Sequence, residues 1–271
     1  MKQTVLIISV LISLSGIFFI FSRFSPALWT EFSQTIPDMP AGLDADTAPE
    51  ELSVSPPVPI LMYHHIREYG NDGNPSIYVS PQRFEEQLQW LFSHGFRTVG
   101  LDYFRHPTPV SGKPFILTFD DGYQDAYDQA FPTLKKYGFQ ATFYIVTNDM
   151  NRSGFLSTGE MLEMKDAGMR FGSHSLSHPN LTQVFQGQAE REIYGSKNVL
   201  EEALGTTVDD FCYPGGANDR NVENIVANSG YKTATTTVSE VVSGPTDPLR
   251  LNRMNIGDST RFDDLSALTS L

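Results

Sequence analysis

Two adjacent carboxylates close an apolar run in the middle of the chain. Phe115-Ile116-Leu117-Thr118-Phe119 leads straight into Asp120-Asp121-Gly122. Inside a regular strand, neighbouring side chains point to opposite faces. At the strand end Gly122 is free to take positive φ, so both carboxylates can turn toward one site. A second run, Met169 to Ser173, delivers His174 and then His178. Two histidines at that spacing meet one metal ion when a single turn separates them. Pro179 disfavours the α region at His178, so a tight turn is expected there rather than a long helix. A third run, Phe211-Cys212-Tyr213, ends in Pro214-Gly215-Gly216, where backbone N–H groups can approach a ligand closely, as an oxyanion hole requires. Each piece alone has an ordinary reading: a helix cap beside a solvated acid, a satisfied imidazole, a plain turn. Two histidines and a carboxylate with open positions form a hydrolytic zinc arrangement, and also the ligand set of non-haem iron oxygenases. The second carboxylate beside them suits proton abstraction, which favours hydrolysis.

The composition narrows the field. The 271 residues carry 19 Lys and Arg against 32 Asp and Glu, a formal net charge of −13, which argues against a nucleic-acid binder because phosphate affinity needs a basic face. The single cysteine, Cys212, excludes an intramolecular disulfide and any cysteine-based zinc cluster, so a metal must take His, Asp or Glu. Hydrophobic residues at 40% and charged residues at 19% fit a globular domain.

The elements that must position these groups follow from the pattern. Candidate strands are Ile60–His64, Arg97–Val99, Phe115–Phe119, Ala141–Val146, Met169–His174, Asp210–Tyr213, Lys232–Thr236 and Leu251–Ile256. Helices fall between most of them. Ser80-Pro81 opens one that runs to Gly95; Tyr123 to Tyr137 forms another, kinked or restarted at Pro132. Ser157 and Glu160 make a capping box for a helix that Gly168 ends, and Glu190–Leu204 and Asn221–Asn228 complete the set. Alternating strand and helix implies a mainly parallel sheet, and about eight strands in roughly 210 residues imply a small (β/α) barrel, with an open doubly wound sheet as the alternative. In both, catalytic groups sit at the C-terminal ends of strands, where all three motifs fall.

Val5 to Phe21 is an apolar stretch of 17 residues between Lys2 and Arg23. About 20 residues usually span a bilayer, so residues 1–23 read as an uncleaved membrane anchor or as a signal peptide, with Ser25-Pro26-Ala27 the candidate cleavage site and a buried helix the bland alternative. Residues 24–57 read as a proline-rich, acidic, poorly ordered tether: seven of the 17 prolines lie between Pro26 and Pro59, and no Lys or Arg occurs between Arg23 and Arg67. Residues 58–271 are then the catalytic domain. It would be anchored facing the periplasm or cell exterior, or secreted if the segment is cleaved.

The motifs Thr118-Phe119-Asp120-Asp121-Gly122, His174-Ser175-x-x-His178 and Tyr213-Pro214-x-Gly216 resemble the first three motifs of the polysaccharide deacetylases, carbohydrate esterase family four, whose shared unit is the NodB homology domain. Leu61-Met62-Tyr63-His64-His65-Ile66 and Ala141-Thr142-Phe143-Tyr144-Ile145 fit the same pattern, and the resemblance spans about residues 58–256. It implies a distorted (β/α) barrel of seven or eight strands. It implies a divalent metal, zinc in most members, on Asp121, His174 and His178, with Asp120 as the base. The implied activity is removal of N-acetyl groups from a hexosamine polysaccharide.

Two features depart from the family pattern. Many members carry Arg where Cys212 stands, and a late histidine as general acid, whereas no histidine follows His178. Members similar to the poly-N-acetylglucosamine deacetylases also depart there, which makes them the nearest subgroup. A weakly active or inactive glycan-binding relative is the alternative. In the active reading Gly215 offers its N–H to the oxyanion, and Asp120, His64 or His65 protonates the leaving amine. Tyr63, Tyr123 and Tyr213 form an aromatic wall against the sugar, or else belong to the core. Arg253, late in the final strand run, reaches the mouth of the barrel and takes the place of the missing Arg beside Asp120, or else forms a surface ion pair.

Overall fold

Short runs of branched and aromatic residues form ten strands among the described residues, in the computed structural model that covers 57–70, 74–244 and 246–262. The expected anchor at 1–23 and all but the last residue of the expected tether at 24–57 lie outside the described residues. Among the described residues no helix is long and apolar enough to cross a membrane.

The chain opens with β1 (Ile60–Tyr63) and the two-residue β2 (His65–Ile66), which pairs with β3 (Tyr78–Val79) in a ribbon of its own. Helix α1 (Pro81–Ser93) starts where the Ser80 hydroxyl accepts the Arg83 N–H, with Pro81 in the first turn, where its missing N–H is harmless. Then come β4 (Phe96–Thr98) and β5 (Lys113–Phe119). A wide helical turn at Ala126–Ala130 runs into α2 (Phe131–Tyr137), so Pro132 restarts the helix instead of breaking it. β6 (Thr142–Ile145) is followed by α3 (Thr158–Asp166), which begins at the reciprocal Ser157/Glu160 cap. The rest is β7 (Arg170–Ser173), α4 (Gln186–Leu204), β8 (Asp210–Cys212), α5 (Arg220–Asn228), β9 (Thr233–Thr235) and β10 (Met254–Asn255).

The main sheet runs β10-β1-β5-β6-β7-β8-β9, every pair parallel. β4 joins it on the first residues of β5, and β1 pairs with the last four. Leu251 bridges Thr235 of β9, and three residues later Met254 pairs with Leu61 of β1. One kinked segment thus spans the gap between the two edges and closes a distorted barrel. That double duty is why the expected single strand Leu251–Ile256 is split. Six other expected strands end one residue early, at Tyr63, Thr98, Ile145, Ser173, Cys212 and Thr235. At Tyr63 and Ser173 the chain leaves the sheet to present His64 and His174 to the C-terminal face.

The period-2 alternation of β5 sets the plan of the site. Phe115, Leu117 and Phe119 join the larger apolar core, with Phe84, Leu88 and Leu91 of α1. Ile116 joins a smaller interior cluster with Ile60, Tyr144, Cys212 and Leu251. Thr118 and then Asp120 continue the Ile116 row, so Asp120 arrives at the barrel mouth facing inward, where Arg253 is fully buried.

Candidate active site

Asp120 and Arg253 make the central contact. Two guanidinium N–H groups donate to the two carboxylate oxygens at 2.7 Å each. The remaining donors of Arg253 reach the Thr236 carbonyl at 2.9 Å, the Thr118 hydroxyl at 3.1 Å and the Cys212 sulfur at 3.1 Å. All five guanidinium donors are therefore used, as a buried arginine requires. Burial pushes the Asp120 carboxyl up, but the charge and hydrogen bonds of Arg253 outweigh it and hold the group well below the usual carboxylate range. Cys212 stays a thiol, because burial drives its pKa far up, and its S–H lies 3.6 Å from Asp120. Cys212 is thus a small group that borders both partners of the pair.

Asp121 turns the other way. Its φ is 72° and that of Gly122 is 76°, the reversal that the glycine made possible. The Asp121 Oδ1 lies 3.6 Å from His174 Nε2 and 3.7 Å from His178 Nε2. His174 Nδ1 is 2.9 Å from the Cys212 carbonyl, which makes Nδ1 the protonated nitrogen and leaves Nε2 free to ligate. The turn after β7 is fixed by small polar residues. Ser175 Oγ accepts the His178 N–H, and buried Glu192 of α4 accepts both the N–H and hydroxyl of Ser177. His178 sits at φ 57° and Ser175 at φ 66°, so three of the four non-glycine residues with positive φ among those described belong to this site.

The donor set fits a divalent ion. Bonds of about 2.0–2.1 Å in a tetrahedral site put ligand atoms roughly 3.3–3.5 Å apart, close to the separations found. Asp120, His174 and Cys212 form a second cluster of possible ligand atoms. That set is wholly buried, and using it would take Asp120 from Arg253 and ionise a thiol held neutral. The Asp121 set, with His178 exposed, leaves positions open to solvent.

The other expected site residues divide. Tyr63 is a correction: it is fully buried, stacked on Phe119 at 5.3 Å, with its hydroxyl on Gln87. Its place on the Leu61 face of β1 points it at the helices, away from the mouth. Tyr213 is also a correction, since it is buried against Phe211 with its hydroxyl on the Leu249 carbonyl. Tyr123 does reach the site, half-buried and beside Asp121; burial first, and then the Asp121 charge, raise its pKa. Gly215 lies at φ 61° in the turn after β8, with open space where a side chain would project. The neighbouring Gly216 is obligatory, because a Cβ would fall 2.1 Å from Thr237 Oγ1.

His64 and His65 part ways. His65 is stacked between Tyr78 and Tyr123 and held by Asp125 at 2.8 Å, facing away from Asp120. His64 Nε2 lies 3.9 Å from Asp120, and its buried Nδ1 has no hydrogen-bond partner. Burial lowers its pKa against the opposing pull of Asp120 and Asp121. Sequence reasoning missed Glu192 and the Cys212 carbonyl, because neither contact leaves a local pattern.

Residues 108–234 match the family model described as polysaccharide deacetylase. The Bacillus subtilis protein YxkH is 30% identical over 204 residues, covering 73% of this chain and 71% of its own. A poly-beta-1,6-N-acetyl-D-glucosamine N-deacetylase of Staphylococcus epidermidis is 28% identical over 198 residues, 66% of this chain and 68% of that one. The Streptococcus pyogenes deacetylase PplD, solved in complex with acetate, superimposes with a TM-score of 0.74 at 30% identity, over 79% of this chain and 99% of its own. The chain belongs to the polysaccharide deacetylase family, hydrolases that act on polysaccharides.

Proposed function

We propose that this protein is a metal-dependent N-deacetylase of an N-acetylhexosamine polysaccharide of the poly-β-1,6-N-acetylglucosamine kind. It would act outside the cytoplasm, with the apolar segment at residues 5–21 as anchor or export signal. The observation that carries the reading is the juxtaposition of an ionised, doubly bonded Asp120 with the Asp121-His174-His178 cluster. A module that only bound glycan would have no use for the base. The similarity to the S. epidermidis enzyme supports the choice of polymer.

Asp121, His174 and His178 would hold the ion, zinc by the donor set; when bound, it supplies Lewis acidity and a water ionised near neutral pH. Asp120 takes the proton of the attacking water, and Arg253 keeps its carboxylate ionised and aimed. The N–H of Gly215 receives the oxygen of the acetyl carbonyl as charge develops on it. Asp120 then returns its proton to the departing amine, with His64 near enough to relay it. The test is release of free amine from β-1,6-linked N-acetylglucosamine oligomers by the metal-loaded protein, with chitin oligomers and acetylated xylan alongside. Amine from the glucosamine oligomers is expected. Acetate from xylan alone would make the protein an esterase and overturn the reading.

A further inference from the structure

The two histidines of the cluster are held in different ways. His174 is buried, with its ring anchored on the Cys212 carbonyl at 2.9 Å. His178 is exposed, and among the described residues its ring has no hydrogen bond to another residue, so its aim is set by the backbone that carries it. That backbone takes the left-handed region twice, at Ser175 and at His178, which L residues do only where their surroundings enforce it.

Much of the enforcement comes from one face of α4. Residues 192, 195 and 196 lie three and four apart and so share a side of the helix. Glu192 Oε2 accepts the Ser177 N–H at 2.9 Å, and Oε1 accepts the Ser177 hydroxyl at 2.7 Å. Gly195 leaves room for Leu176, since a Cβ there would fall 3.0 Å from Leu176 Cδ1. Ser196 Oγ lies 2.6 Å from Ser173 Oγ, which in turn accepts the Ser175 N–H at 3.2 Å. From the other flank the N–H groups of Thr147 and Asn148 donate to the carbonyls of Ser175 and Leu176 at 3.2 and 2.9 Å.

Glu192 is the costly member of this set. It is buried, and it forms no ion pair among the described residues. A buried acid with no cation beside it is rare, and packing alone would be served better by an apolar side chain. Both of its oxygens are spent on Ser177, the residue before His178. The fork fixes the peptide that enters Ser177 together with the Ser177 side chain, and the next residue carries the imidazole.

We propose that Glu192 is a positioning residue for His178, and that its two-oxygen grip on Ser177 sets the affinity of the cluster for its ion. The inference rests on the metal reading of Asp121, His174 and His178. Groups that orient a metal ligand from outside typically carry about 10–100-fold of the affinity.

The test is the zinc affinity of the folded full chain, read by competition with a chromogenic chelator, with melting curves of the metal-free protein on the same samples. Three variants separate position from charge. Glu192→Gln loses the acid but keeps the fork, because its amide oxygen can accept the Ser177 N–H and its amide NH₂ can donate to the hydroxyl oxygen; its affinity should stay within about threefold of wild type. Glu192→Asp keeps the acid but is one methylene shorter and cannot span both contacts, so affinity should fall about tenfold. Glu192→Ala should lose about 10–100-fold. In cobalt-loaded protein the visible absorption band should change shape in Glu192→Ala and keep it in Glu192→Gln. Glu201, farther along α4, accepts the Val208 N–H at 2.9 Å and pairs with Lys197 at 3.0 Å, so Glu201→Ala should lower the melting temperature and leave zinc affinity unchanged. Wild-type zinc affinity in folded Glu192→Ala would overturn the proposal. So would a loss in Glu192→Gln with none in Glu192→Asp, since charge and not position would then act. If the alanine variant does not fold, Glu192→Asp decides in its place, and wild-type affinity there overturns the proposal. If Asp121→Ala leaves zinc affinity unchanged, the metal reading itself fails, and the role of Glu192 falls with it.

Discussion

Replacing Arg253 by Met removes both hydrogen bonds to Asp120 and leaves a carboxylate in a buried site with the Cys212 thiol at 3.6 Å, His64 at 3.9 Å and His174 within 4.8 Å as polar neighbours. Removing one partner of a buried ion pair destabilises a fold by about 3–5 kcal/mol. The guanidinium is fully buried and its fork is bidentate, so the loss should fall within that range. Asp120 escapes part of the penalty by taking up a proton. Arg253 is the main influence holding its pKa down and burial pushes it up, so the pKa rises when the arginine goes. A base must be ionised to act, so the acid limb of the kcat/KM profile moves to higher pH. Loss of aim adds roughly a 10²-fold fall in turnover at the optimum. Arg253→Lys keeps a charge without the fork and should fall between the two. The assay is kcat/KM against pH, with melting curves and metal content recorded on the same samples. A folded Arg253→Met protein with wild-type turnover and an unmoved acid limb would refute the role given to the pair.

Asp120→Asn should keep its metal and lose about 10²–10⁴-fold in turnover, checked by amine release and metal analysis. Asp210 is buried with its carboxyl pushed up to about 6, above its ordinary value, so the folded state binds the extra proton and stability falls as pH rises through about 4 to 6. Asp210→Asn should therefore be more stable than wild type by about 2–3 kcal/mol at pH 7 and by little at pH 4 in denaturant titrations, and a pH-independent difference would contradict this. A chain beginning at Pro57 should fold and turn over like the full chain, which melting and amine release will check.

The regular parts of the fold were legible because their signals are local. Ser80-Pro81, the Ser157/Glu160 cap and the apolar runs each name an element without reference to the rest of the chain. The cluster of Asp121, His174 and His178 was legible for a related reason: each residue sits at the end of a run, and parallel strands bring such ends to one face. Arg253 was legible from its place in the last strand run, although the kink that carries it between β9 and β1 was not. The tyrosines were harder. Tyr63, Tyr123 and Tyr213 all flank motif residues, and only the face each backbone presents decides between core and site. Phe155 gave no signal, since it meets Tyr123 through main-chain pairing of two loops. The Glu192 contact joins a loop to a helix surface that no periodicity connects to it.

The decisive measurement counts metal ions per chain and follows acetate release from an N-acetylglucosamine oligomer in the same samples, before chelation, after it, and after zinc is restored. One ion per chain is expected, with release lost on chelation and recovered with zinc, and with both ion and release absent from Asp121→Ala and His178→Ala. Full release from metal-free protein, or an undiminished ion count in Asp121→Ala, would contradict a hydrolytic metal centre on these three residues.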